Sequence, residues 1–193
     1  MSIHPARPIA KSDEELVRSP CSFEFEAIWR GLRNGGLVPS RSDFHPSKVI
    51  RFLPEIVIVE VPGPGDLILK IRLAGSGIEA RVQKKITGQN YLDFMPLMYR
   101  EGALLSARLI SSQPCGLWQM TKVHYERGTS QLLEMTAFPL AANQNNAPVI
   151  LVLSRVIEGF QVPTQTPDVA MLADTAMKFE FLDIGNGVPA WNS

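Results

Sequence analysis

The chain has 193 residues, 45% of them hydrophobic, and it carries 19 Lys and Arg residues against 19 Asp and Glu residues. Its length suits a single domain with one core, and its balanced charge excludes the positive field of a typical nucleic-acid-binding protein. No apolar run approaches the ~20 residues of a membrane-spanning helix and the N-terminus lacks a signal-peptide core, so we expect a cytoplasmic protein without membrane or nucleic-acid partners.

The first well-defined helix is predicted to follow Ser19, which can cap its N-terminus, and to end before the pair Gly35-Gly36. Its apolar residues recur with the i, i+3, i+4, i+7 spacing that is typical of one buried helix face. These residues are Phe25, Ile28, Trp29 and Leu32. Two interpretations stay open: this face packs on its own domain, or it forms the interface of a homodimer.

The rest of the chain predicts two strands, then helices, then three strands. In chain order the strands are expected near 55–61 and 67–73, the helices near 78–82 and 95–113, and the last strands near 117–125, 131–140 and 149–157. The short connections between consecutive strands favour antiparallel neighbours. Because strands and helices do not alternate, a doubly wound nucleotide-binding fold is disfavoured.

This order of elements resembles the PAS fold, and local motifs strengthen the resemblance. The chain resembles a bacterial PAS-type family found largely in alphaproteobacteria, in which a helix bearing a Trp precedes a Pro, an Asp-x-x-Pro motif and a Leu-Pro pair. The matching residues are Trp29, Pro39, Asp43-Phe44-His45-Pro46, Leu53-Pro54, Arg72-Leu73-Ala74-Gly75 and Thr87-Gly88. The resemblance spans 23–157 and implies an α+β fold: a five-stranded antiparallel sheet with helices packed on one face, plus an N-terminal helix and a C-terminal extension.

The resemblance divides the chain into three parts. They are a leader with a short helical turn at 1–18, a PAS-like domain at 19–160 and a C-terminal extension at 161–193. In the leader, Ser12 and Glu15 have the spacing of a capping box. In the extension, residues 168–177 predict a helix and residues 178–184 predict a short strand.

The resemblance implies a sensory or regulatory role in signal transduction, and it provides no catalytic residues. We therefore expect a stand-alone, non-catalytic module that binds a small apolar or amphipathic ligand, a protein partner, or both. No kinase, cyclase or DNA-binding element is recognisable in the sequence. We expect signalling to run through a protein partner or through a homodimer formed by the N-terminal helix.

A ligand cavity is expected where the curved sheet of such a fold meets the central helices. Adaptable or aromatic side chains suited to its wall are Met95, Trp118, Met120, Met135 and Phe138. The alternative is that these residues fill a closed core. In that case the protein is a ligand-free scaffold for protein interactions.

Candidate catalytic and metal-binding residues are few. His4 lies in the leader, His45 precedes a proline in a turn, and His124 lies on a predicted strand, where a lone histidine is more often hydrogen-bonded or exposed than a haem ligand. Cys21 and Cys115 lack a CxxC spacing, which argues against a disulfide and a zinc site, and we interpret both as small core or half-buried residues. We expect no required cofactor, no metal and no haem.

An enzyme is the alternative from another functional class. It would be a small α+β isomerase or dehydratase in which Asp93 or Glu134 acts as a buried base in an apolar pocket. A solvated or capping role is the simpler interpretation of each acid. The sequence lacks the GxGxxG, GxxxxGK[ST] and Gly-x-Ser-x-Gly motifs, so it offers no phosphate loop and no nucleophile elbow.

Overall fold

The structure is a computed structural model that describes residues 16–63, 65–126, 128–143, 146–161 and 171–190. The α-helices are α1 (Pro20–Arg30), α2 (Ser76–Val82) and α3 (Leu97–Ser112), and 3-10 segments lie at Arg41–Asp43, Pro46–Glu55 and Tyr91–Phe94. The strands are β1 (Ile56–Glu60), β2 (Ile71–Ala74), β3 (Gly116–Tyr125), β4 (Thr129–Leu140), β5 (Val149–Gln161) and β6 (Met171–Leu182). No helix in the described ranges is long and apolar enough to cross a membrane.

The six strands form one antiparallel sheet in the order β2-β1-β5-β4-β3-β6. This arrangement confirms the predicted α+β fold with two strands, helices and three further strands. The sheet has one strand more than the five that were predicted, because β6 pairs with β3 along its whole length, from Gly116 opposite Leu182 to Tyr125 opposite Met171. The region predicted as a C-terminal extension therefore contributes an edge strand to the sheet.

The helix predicted at 168–177 is wrong from Met171 onward, since these residues belong to β6. Local sequence favoured a helical turn, but pairing with β3 and burial against the sheet decide the conformation of this segment. The short strand predicted at 178–184 is confirmed at 178–182, the end of β6, and residues 183 and 184 lie beyond it. The predicted leader up to residue 15, with its Ser12 and Glu15 capping box, lies outside the described residues.

Successive strand residues point to opposite faces of the sheet, so the sheet has a hydrophobic core on each side. The face covered by α2 and α3, here called the cavity face, carries Val57, Val59, Leu117, Leu133, Ala137 and Ile150. The face covered by α1, here called the α1 face, carries Ile56, Trp118, Met120, Phe138, Leu151 and Leu153. The prediction of helices on one face therefore holds for α2 and α3, whereas the N-terminal helix covers the other.

The apolar residues of α1 pack on the protein's own sheet. Phe25 and Trp29 are fully buried, and Leu32 is nearly so. The Trp29 ring stacks on Phe138 with centroids 4.7 Å apart, and its Nε1 donates to the carbonyl oxygen of Pro139 at 2.8 Å. These contacts, together with partly buried Ile28, correspond to the intramolecular interpretation of this helix face. The homodimer itself stays a prediction.

A buried carboxylate holds the N-terminus of α1. The Ser19 amide donates to Glu134 Oε1 at 2.8 Å, the Ser19 hydroxyl donates to Glu134 Oε2, and Trp118 Nε1 donates to Oε1 at 2.9 Å. Glu134 is only 3% exposed. Because the positive end of a helix dipole favours a negative charge, this acid in the middle of β4 fixes the position at which α1 meets the sheet.

We predict that Glu134→Ala destabilises the domain by about 2–4 kcal/mol, because it leaves the Ser19 amide and Trp118 Nε1 as buried donors without an acceptor. Glu134→Gln is the matched control: it retains an acceptor oxygen and should cost roughly half as much. Urea unfolding followed by tryptophan fluorescence measures both changes. A Glu134→Ala midpoint equal to that of wild type would show that this contact does not anchor α1.

Candidate functional site

A cavity of about 290 Å³ lies between the cavity face of the sheet and helices α2 and α3. Its size is near the lower end of ligand pockets, which typically enclose about 300–1,000 Å³. The wall is mainly apolar, with aliphatic residues from the strands and aromatic residues at its edges. Examples of these residues are Val59, Ile71, Phe94, Leu133 and Phe179.

The inward face of α3 explains why space remains under the helix. The α3 residues that line the cavity are mostly small, namely Gly102, Ala103, Ser106 and Ala107. A side chain added at Gly102 would meet no atom within 4 Å. The large residues Leu97 and Met98 instead point outward and are 79% and 78% exposed. Among the α3 residues that line the cavity, only Tyr99 and Ile110 are large.

The structure divides the five predicted wall residues between the two faces of the sheet. Met95 and Met135 line the cavity. Trp118, Met120 and Phe138 are buried on the α1 face, so their prediction as cavity wall is corrected. The reason is strand alternation: Met135 and Phe138 are three residues apart on β4, and an odd spacing sends two side chains to opposite faces.

One charged side chain lies in the cavity wall at α2. Arg81 Nη2 donates to the carbonyl oxygen of Ser154 at 3.1 Å, and the guanidinium lies near enough to the phenol of Tyr125 to oppose part of the rise in its pKa. Its Nε is buried and has no hydrogen-bond partner among the described residues. Sequence reasoning missed Arg81, although its position three residues after Ile78 and one before Val82 places it on the apolar stripe of α2.

Other polar groups of the wall are neutral or already engaged. Burial raises the pKa of Tyr91 and of Tyr125, and Arg81 offsets only part of the shift at Tyr125, so both phenols keep their protons at neutral pH. The Thr121 hydroxyl donates to the carbonyl oxygen of Asp174 at 2.9 Å, and that of Ser106 donates to the carbonyl oxygen of Gly102 at 2.8 Å. Both hydroxyls are therefore occupied within the domain.

His124 forms hydrogen bonds through both ring nitrogens. Nδ1 contacts Ser130 Oγ at 2.7 Å, and Nε2 contacts Asp174 Oδ2 at 2.9 Å. The set has the composition of a Ser-His-Asp triad, but Ser130 is fully buried and no substrate can reach its hydroxyl. Ligation of haem iron by His124 would require the loss of one of these hydrogen bonds. In the described part of the chain, no group of three His, Cys, Asp or Glu side chains is placed to hold a metal ion.

The two acids of the enzyme alternative lie outside the cavity. The side chain of Asp93 is 59% exposed and pairs with Arg100 at 3.6 Å. Glu134 is buried on the α1 face, where it binds Ser19 and Trp118. Neither carboxylate is therefore positioned as a base against a molecule in the cavity.

The two cysteines differ in their surroundings. Cys115 is fully buried, and burial, with a smaller effect of the Asp183 charge, raises the pKa of its thiol from 9.0 to about 11. Cys21 is partly buried and accepts a hydrogen bond from Arg155 Nη1. These environments correspond to the predicted structural roles rather than to a reactive Cys115.

We predict that Cys115 in a Cys21→Ser variant reacts with a disulfide reagent about 100-fold more slowly in the native state than in urea at the same pH, near 8. The raised pKa lowers the thiolate fraction by about that factor, and burial slows the reaction further. Absorbance of the released thiolate measures both rates. Equal rates in the two states would contradict the described environment.

Comparison with known proteins identifies the family of this chain. A family model described as PAS domain matches residues 17–153, which extend from the start of α1 into β5. Among solved structures, the chain is similar to the PAS domain of an HTR-like protein from Haloarcula marismortui, with 18% identity, a TM-score of 0.39, and coverage of 57% of this chain and 91% of that chain. No curated protein gave a significant match. Because the family match covers most of the chain, this protein belongs to the PAS domain family.

Proposed function

We propose that this PAS domain is a non-catalytic sensory module whose cavity binds a small apolar or amphipathic molecule. PAS domains are in general sensory and regulatory modules. The observation that carries the proposal is the apolar cavity under α3, which exists because Gly102, Ala103 and Ala107 face the sheet. A ligand-free scaffold has no use for this space, since an interior packed to ordinary density would be more stable.

Helix α3 offers a physical route from ligand to partner. Its inner face borders the cavity, and its outer face exposes Leu97, Met98 and Leu105. A ligand that binds one position of α3 more tightly than another shifts the population of that position. The outer face then presents a different surface to a signalling protein, so binding is reported without any catalytic step.

We also propose a cellular location for the domain and a surface for its homodimer. We place the domain in the cytoplasm of an alphaproteobacterium, on the basis of its composition and of the motifs around Trp29 and Asp43. A homodimer through α1 would have to use the outward side of the helix, where Phe23 is 55% exposed. Phe25 and Trp29 are occupied by the sheet and are not accessible for such an interface.

We predict that octan-1-ol binds the wild-type domain measurably, since burial of its methylenes, at about 0.8 kcal/mol each, exceeds the cost of association. Gly102→Leu should weaken this binding about tenfold or more, because leucine fills the space beneath α3. The same change should raise the stability of the domain by about 1 kcal/mol through helix propensity. Isothermal titration calorimetry and urea unfolding measure the two effects.

Gly63→Leu is the matched control. Gly63 is exposed, lies outside the cavity wall, and an added side chain there meets no atom within 4 Å. This variant should bind octan-1-ol as wild type does. The proposal fails if wild type does not bind the alcohol, or if Gly102→Leu leaves the affinity for the alcohol unchanged.

A further inference from the structure

The position of Arg81 distinguishes this cavity from a purely apolar one. Arg81 lies in the last turn of α2, beside Ile78 and Val82, which are 4% and 5% exposed. All three residues line the cavity. An amphipathic helix normally turns its arginines to solvent, so this placement requires a specific partner for the guanidinium.

The partners of Arg81 within the domain are incomplete. Nη2 donates to the Ser154 carbonyl oxygen, which uses one of the five donors of the guanidinium, and this acceptor is uncharged. Nε is buried without a partner, and no ion pair among the described residues includes Arg81. The carboxylate that lines the cavity, that of Asp174, pairs with His124 at 2.9 Å.

An anionic acceptor in the cavity would complete this arrangement. A guanidinium is a cation, and Arg81, although partly exposed as a residue, has a buried Nε without an acceptor, which is costly. A carboxylate accepts two parallel hydrogen bonds from such a group. Burial raises the pKa of Tyr125, so its hydroxyl, which lies near Arg81, keeps a proton that it can donate to an oxygen of the carboxylate.

We infer that Arg81 and Tyr125 bind the carboxylate of the ligand while its apolar body occupies the space between α3 and β4. This inference rests on the proposed function and specifies its ligand class: small apolar carboxylic acids, in preference to neutral molecules of the same shape. Along the cavity, Leu133, Met135 and Ala137 of β4 supply the surface against which the apolar body packs.

The test compares octanoate with octan-1-ol, two probes of equal chain length, by calorimetry at neutral pH. Wild type should bind octanoate about tenfold more tightly than the alcohol, which is the value of one charge-assisted hydrogen bond. Arg81→Gln should weaken octanoate binding about tenfold and change the Kd of octan-1-ol by no more than about twofold. Tyr125→Phe should weaken octanoate binding about threefold, because only one neutral hydrogen-bond donor is lost.

Arg108→Gln provides the matched control, because Arg108 donates to the carbonyl oxygen of Asp66 at 2.7 Å at an exposed site outside this cavity. It should bind both probes as wild type does. Retained octan-1-ol binding by Arg81→Gln shows that the variant is folded with its cavity intact. Equal binding of the two probes by wild type, or undiminished octanoate binding by Arg81→Gln, overturns the carboxylate preference alone. Failure of wild type to bind octan-1-ol overturns the proposed function.

Discussion

Alternation of side chains along one antiparallel sheet gives this domain two different interiors. On the α1 face, large rings interlock: Trp29 stacks on Phe138, and the indole also donates to the Pro139 carbonyl. On the opposite face, the α3 residues that line the cavity include Gly102 and Ala103, and space remains. Dense packing on one side supplies stability, which allows the other side to keep a cavity that a ligand can fill.

Adjacent residues of the central strand β4 point to the two different faces of the sheet. Glu134 of β4 points to the α1 face and anchors Ser19 at the start of α1, while its neighbour Met135 points into the cavity. The cavity and the N-terminal helix thus border adjacent residues of one strand, on opposite faces of the sheet.

Much of the fold was predictable because it depends on local signals. Ser19 accepts a hydrogen bond from the Ser22 amide as the predicted N-cap, and Gly88 adopts the left-handed φ of 90° that its turn requires. At Gly75 the φ of −67° is ordinary, and glycine is needed because a Cβ atom would lie 2.5 Å from the Pro54 carbonyl oxygen. The placement of β6 and the burial of Trp118 depend on long-range pairing, which local periodicity does not encode. The cavity exists because α3 faces it mostly with small side chains, and a search of the sequence for large wall residues does not detect such a site.

The proposed function depends on an unfilled apolar space beneath α3, and a crystal structure of the domain under xenon pressure reveals whether this space exists. Xenon occupies dry apolar cavities in proteins. We expect a xenon peak between Gly102 of α3 and Leu133 of β4, both of which line the cavity. A structure in which α3 contacts the sheet at Gly102, with no xenon bound there, would contradict it.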